Sequence, residues 1–147
     1  MTDAKKDSNY LLIERFKAFY LDVKNPQLDK IDEIYSENIF FKDTVHEIRG
    51  VVPLHAYLTE MSANVRSGRF EYLDQIVSDN MAYIKWNMHF KHPKLGCKTI
   101  TVRGITQVQF DERIYFHEDV YDLGQMLYEH VPLLGTAIKG LKKRLAM

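Results

Sequence analysis

From residue 70 to residue 122 the chain alternates apolar and polar side chains with a period of two, and only short polar breaks interrupt the pattern. That alternation predicts four half-buried strands, over 70–78, 81–92, 98–110 and 113–122. The breaks are Asp79-Asn80, Pro93-Lys94-Leu95-Gly96 and Asp111-Glu112. A parallel crossover needs roughly a dozen residues or more, so these strands should be antiparallel neighbours. Their faces can be read directly. Ala82, Ile84, Trp86, Met88 and Phe90 share one face, and Tyr83, Lys85, Asn87, His89 and Lys91 the other. In the next strand Ile100, Val102, Gly104, Val108 and Phe110 oppose Thr101, Arg103, Gln107 and Gln109.

Ahead of the strands the period is helical. Leu12, Ile13, Phe16, Phe19, Tyr20 and Val23 form one stripe, with Ser8 as its expected N-cap and Asn25-Pro26 as its stop. Leu28, Ile31, Ile34 and Tyr35 suggest a short second helix. Ile39-Phe40-Phe41 reads as a strand. Leu54, Tyr57, Leu58, Met61 and Val65 give a third helical stripe, opened by Gly50 and Pro53. Helix, helix, strand, helix and four meandering strands make an α+β domain with helices against one face of an antiparallel sheet.

At 147 residues one domain is expected, with a core over about 8–123 and a helical extension over 124–147. Basic and acidic residues balance at 20 each, which argues against a general nucleic-acid binder. No apolar run approaches the ~18 residues of a membrane span. The polar start MTDAKKDSN lacks a signal core, so a cytoplasmic location is expected. Cys97 stands alone, excluding an internal disulfide and a cysteine-only zinc site. No metal-ligand spacing or phosphate-binding glycine loop is visible, so neither metal nor cofactor is expected.

The element order, the segment Tyr35-Ser-Glu-Asn-Ile-Phe-Phe-Lys-Asp43 and the closing strand Ile114-Tyr-Phe-His117-Glu-Asp119-Val-Tyr-Asp122 together resemble the nuclear transport factor 2-like superfamily, in its SnoaL-like branch. The resemblance spans residues 12–123. It implies a strongly curved sheet wrapped around the helices into a cone, with an apolar pocket inside. It also implies a homodimer through the outer sheet face, here Thr101, Arg103, Ile105 and Gln107. Relatives of this kind include ketosteroid isomerases, epoxide hydrolases, polyketide cyclases and non-catalytic binding modules, so fold alone does not decide function.

Each chemistry can be tested on the residues. An isomerase needs a carboxylate base and donors for a developing enolate oxygen. The resemblance puts the base at Asp43, but its donor positions fall near Phe16, which cannot donate, and Thr106. Asp43 can equally cap the turn that follows it. The hydrolase pattern would put an Arg and a second Asp where Trp86 and Met88 stand, which removes most of its support. A cyclase needs one acid/base carboxylate, often beside a His, and His117 with Asp119 is the best local match. These two residues share a strand face with Tyr115 and Tyr121. Apolarity would turn Phe116 and Val120 inward instead, whereas the resemblance turns His117 and Asp119 inward. A bulge could reset the register. Asp119, His117 and Asp43 are therefore the candidate catalytic residues. Phe16, Tyr20, His46, Tyr57, Met61, Trp86, Met88, Thr106 and Tyr121 are the candidate pocket lining.

The expected ligand is a small apolar organic molecule, handled by cofactor-free proton transfer of isomerase or cyclase type. The competing reading is a non-catalytic binding or dimerisation module whose cone is filled by its own aromatics and which acts through its surface. Beyond the core, Leu133, Leu134, Ala137, Ile138, Leu141 and Leu145 form an apolar stripe. Lys139, Lys142, Lys143 and Arg144 accompany it without an acid. The plain reading is a docked helix whose cations complement its dipole. The sharper one is attachment to a membrane surface or to an acidic partner. Residues 121–134 are expected to fold over the pocket mouth.

Overall fold

The computed structural model describes residues 2–96, 98–126 and 134–146. Helix α1 (Asp3–Tyr20) leads through a 3-10 turn (Leu28–Lys30) to the single-turn helix α2 (Ile31–Ile34). Strands β1 (Tyr35–Lys42) and β2 (Glu47–Arg49) follow, then α3 (Val51–Asn64). Strands β3 (Ser67–Val77), β4 (Met81–Lys91), β5 (Ile100–Phe110) and β6 (Ile114–Tyr121) complete the sheet. A short α4 (Leu123–Met126) and the terminal α5 (Leu134–Leu145) close the described chain.

The sheet runs β2-β1-β6-β5-β4-β3. The four long strands pair antiparallel as their short connections require. Expecting a wholly antiparallel sheet is corrected at one seam, where β1 lies parallel to β6. The intervening α3, β3, β4 and β5 supply the long connection that a parallel pair needs. β2 was not anticipated; three residues pairing with β1 give too short a pattern to read.

Two expectations for the first helix also change. Its N-cap is Thr2, whose hydroxyl accepts from the Lys5 amide at 3.2 Å, and Ser8 lies inside the helix. The helix ends at Tyr20 rather than at Asn25-Pro26. Asp22 captures the amides of Lys24 and Asn25 through its carboxylate, an Asx-type turn that competes with further helix. Val23 then donates its amide to the Gly68 carbonyl on β3 and is buried there, outside the helix.

Leu12, Ile13, Phe16 and Phe19 of α1 and Leu54 and Leu58 of α3 pack on Ala82, Ile84, Trp86, Val108 and Ile114 of the sheet. Burying a side chain of this size contributes about 1.5–3 kcal/mol. Gly50 has φ 97°, which a side chain rarely adopts, and it turns β2 directly into α3. Gly104 does something different. It lies opposite Trp86 in the β4–β5 ladder, and the indole occupies the space a Cβ would need.

Bulges shape the sheet around the helices. Leu73 is extra between Tyr72 and Asp74 of β3. Tyr115 is extra between Ile114 and Phe116 of β6, where β5 advances only from Phe110 to Gln109. Bulges bend a strand and increase its twist. Asp122, just past β6, binds the Lys142 ammonium at 2.9 Å, and that contact holds its carboxyl below the usual range.

Replacing Gly104 with alanine should displace the indole, because the added carbon overlaps it. The expected loss is about 1–3 kcal/mol in urea unfolding. The protein's one tryptophan should shift its emission at the same time.

Candidate functional site

The helices and the inner sheet face enclose a cavity of about 540 Å³. Phe16, Tyr20, Phe41, Phe70, Tyr72, Trp86 and Phe90 supply most of its wall, and the exposed Glu60, Asn64 and Lys94 reach its rim. All twelve residues singled out in the sequence line it. Most of the polar ones fall into two groups set in aromatic surroundings.

The first group forms a chain of hydrogen bonds drawn from five elements. The Tyr20 and Tyr35 hydroxyls are 2.6 Å apart, and Tyr35 is 2.7 Å from His117 Nδ1. His117 Nε2 is 2.8 Å from Asp119 Oδ1. Thr106 donates to the same oxygen at 2.6 Å and accepts from Trp86 Nε1 at 2.8 Å. Sheet pairing explains the placement, because Thr106 lies directly opposite Asp119 and Phe41 is level with His117.

Donor chemistry gives this chain a direction. An indole only donates, so the Thr106 hydroxyl spends its own proton on Asp119. The carboxylate accepts, so His117 Nε2 carries hydrogen. In a neutral ring Nδ1 then accepts from Tyr35, which accepts from Tyr20. Burial pushes both phenols well above their ordinary pKa, so they remain hydroxyl donors. Every bond converges on Asp119 Oδ1. Among the described residues nothing bonds Oδ2.

The Tyr115 bulge puts this group indoors. Ile114 and His117 are both buried although three residues apart, a spacing a regular strand cannot give. Val120 is 59% exposed, so the face chosen by apolarity alone is the outer one. His117, only 2% exposed, is enclosed by the rings of Phe16, Phe41, Tyr20 and Tyr35.

The second group centres on Asp43. Its Oδ1 accepts from the amides of Val45 and His46, at 2.8 and 2.6 Å, which is the turn-capping arrangement. Oδ2 accepts from the Tyr57 hydroxyl at 3.1 Å, and the His46 ring nitrogen lies 3.2 Å from both oxygens. Burial, then the Asp43 charge, raise the Tyr57 phenol well above its ordinary value. Both Asp43 oxygens are thus engaged.

Trp86 and Met88 occupy the inner face of β4 as read, and among the described residues no arginine lines the cavity. His89 faces outward onto Glu71 and Thr101, whereas His92 caps the Pro93–Leu95 turn at the rim. Among the described residues no three His, Cys, Asp or Glu side chains are grouped to hold a metal ion. Met126 lines the cavity, in keeping with a chain end folded over it, while Leu127 and Tyr128 lie outside the described residues. Tyr35 was not anticipated as a site residue. Placed at the end of a helical stripe, it reads as one more core aromatic, and no spacing separates a phenol that bonds a buried histidine from a packing one.

The architecture is that of the nuclear transport factor 2-like, ketosteroid isomerase-like fold. Residues 16–117 match the family model described as SnoaL-like domain, and the chain belongs to that family. An epoxide hydrolase of Mycobacterium tuberculosis, described as LEH-like, superposes with a TM-score of 0.67 at 15% identity, over 82% of this chain and 86% of its own. A SnoaL-like polyketide cyclase assigned in Shewanella denitrificans superposes at 0.66 and 15% identity, over 85% and 95%. A protein of Catenulispora acidiphila with a ketosteroid isomerase-like fold, in complex with trimethylamine, gives 0.69 at 11% identity, over 79% and 88%. At these identities the likeness is one of fold. No curated protein matches the sequence.

Tyr35→Phe removes the hydroxyl between Tyr20 and His117 and leaves two buried polar atoms without partners. It should cost about 1–3 kcal/mol in chemical unfolding. Tyr20→Phe alone, which removes only the terminal donor, should cost less.

Proposed function

We propose that this protein binds a small, largely apolar organic molecule in the cavity and transfers a proton to and from it without a cofactor, in the manner of an isomerase or cyclase. The observation that carries the reading is Asp119, a cavity-lining carboxylate with one oxygen held by His117 and Thr106 and the other bonded by none of the described residues. A carboxylate so held is ordered before the ligand arrives, and a general base gains from such positioning. An open cavity of this size also favours a ligand over a core filled by its own aromatics. The trimethylamine complex of the Catenulispora relative is consistent with occupation by a small organic molecule.

In this scheme Asp119 Oδ2 takes the proton from a carbon acid. The His117 ring and the Thr106 hydroxyl keep their hydrogen bonds to Oδ1 throughout, and the proton held on Oδ2 is returned to the ligand at a second carbon, so that Asp119 ends as the carboxylate it began as. Tyr35 donates to Nδ1 and so keeps the ring in the tautomer whose Nε2 faces Asp119 with its hydrogen. Asp43 holds Tyr57 and the turn and does not serve as the base. The outer sheet face, with Tyr83, Ile105 and Val120 exposed in adjoining strands, is proposed as the surface of a homodimer.

The test is deuterium exchange at carbons next to a carbonyl, followed by NMR across a panel of cyclic ketones and enones in heavy water. The wild-type protein should exchange at least one panel member on the order of 100-fold faster than Asp119→Asn. Asp43→Asn should retain most of that rate. Equal rates in all three proteins would remove Asp119 from the chemistry.

A further inference from the structure

The structure describes α5 as a helix whose apolar stripe is turned away from the protein. Leu134, Leu141 and Leu145 are 45%, 57% and 79% exposed. At about 100° per residue, these three and Ile138 fall within about 60° of one another around the axis. Lys142 and Arg144 flank that stripe, one on each side, and Lys139 and Lys143 complete the opposite face. The helix contains no acidic residue. The reading of a helix docked by this stripe is therefore corrected. Among the described residues Lys142 bonds Asp122 from the flank of the helix, while Leu141 and Leu145 stay exposed and Ile138 is half-buried.

We propose that α5 is a docking surface for an anionic lipid bilayer, lying in the plane of the interface. Charge complementarity selects this occupant. A second copy pairing through the same stripe would add like charge along the seam, Lys142 and Arg144 from each helix, and neither helix contributes a carboxylate. An anionic headgroup layer instead supplies negative charge at the height of the flanking Lys and Arg side chains, whose long stems let the charge stay at the headgroups while the leucines enter the acyl boundary. No described helix is long and apolar enough to cross a membrane, so the contact is a surface one. The proposal is independent of the cavity's chemistry. It does fix a geometry, since Asp122 tethers the docked helix beside α4, whose Met126 lines the cavity.

The experiment is flotation of the whole chain with unilamellar vesicles of phosphatidylcholine alone, or of phosphatidylcholine with 30 mol% phosphatidylglycerol (on the order of what anionic-leaflet binding requires). The wild-type protein should partition at least tenfold more strongly onto the anionic vesicles. The preference should fall severalfold on raising salt, as screening shortens the reach of the charges. Leu141→Glu with Leu145→Glu should abolish flotation, and Lys143→Glu with Arg144→Glu should erase the preference for anionic lipid. All these side chains are exposed, so the variants should unfold at the wild-type urea midpoint. Equal binding to both vesicle types, or none to either, overturns the proposal. So does a dimer in sedimentation velocity that the leucine variants dissolve, because the stripe would then bury itself in a second copy.

Discussion

A histidine enclosed by aromatic rings has to find a partner for each of its nitrogens, and much of this structure answers to that requirement. His117 is as buried as the leucines around it. Leaving either nitrogen without a partner would cost more than a typical hydrogen bond contributes. The Tyr35 phenol, the Asp119 carboxylate, the Thr106 hydroxyl and the Trp86 indole are each placed by a different strand, and each satisfies the next. The strand order, the parallel seam between β1 and β6 and the register of β5 against β6 are all needed to bring them together. A polar chain of this kind tolerates few alternative packings, so it specifies one arrangement of the core as well as offering chemistry.

The two carboxylates of the cavity show how environment separates like groups. Asp43 and Asp119 both face aromatic surroundings, and both lie near tyrosines. Asp43 gives its oxygens to two backbone amides, an imidazole and a phenol, which is how a carboxylate becomes a structural anchor. Asp119 concentrates its bonds on one oxygen, and none of the described residues bonds the other. The distinction is invisible in residue type. It comes from a turn in one case and a cross-strand pair in the other.

What could be read from the sequence follows the same division. The four long strands, the three helical stripes and the inner face of β4 were legible, because side-chain periodicity records burial directly. The parallel seam was not, since pairing between distant segments leaves no local trace. The early end of α1 depended on Asp22 folding back on its own amides and on Val23 joining β3, a tertiary contact that outweighs the continuing helical pattern. Asp119, His117 and Thr106 were legible through family resemblance joined to residue chemistry. Tyr35 was not, because a packing phenol and one that bonds a buried ring look alike until the histidine beside it is located. For α5 the stripe and the cations were plain, while the direction in which the stripe faced was a matter for the structure alone.

The extra residue in β6 has a consequence for how such a pocket can change through descent. Because the bulge absorbs Tyr115, Phe116 pairs with Gln109 and His117 with Val108, and His117, Asp119 and Tyr121 face inward. Paired without a bulge, the same run of residues would alternate the other way and hand the interior to Phe116, Glu118 and Val120. Loss of the Tyr115 codon would straighten the strand and leave His117 opposite Val108, so the lining survives a change of length at this point. Comparison of relatives across this strand therefore has to align the pairing before it compares residues.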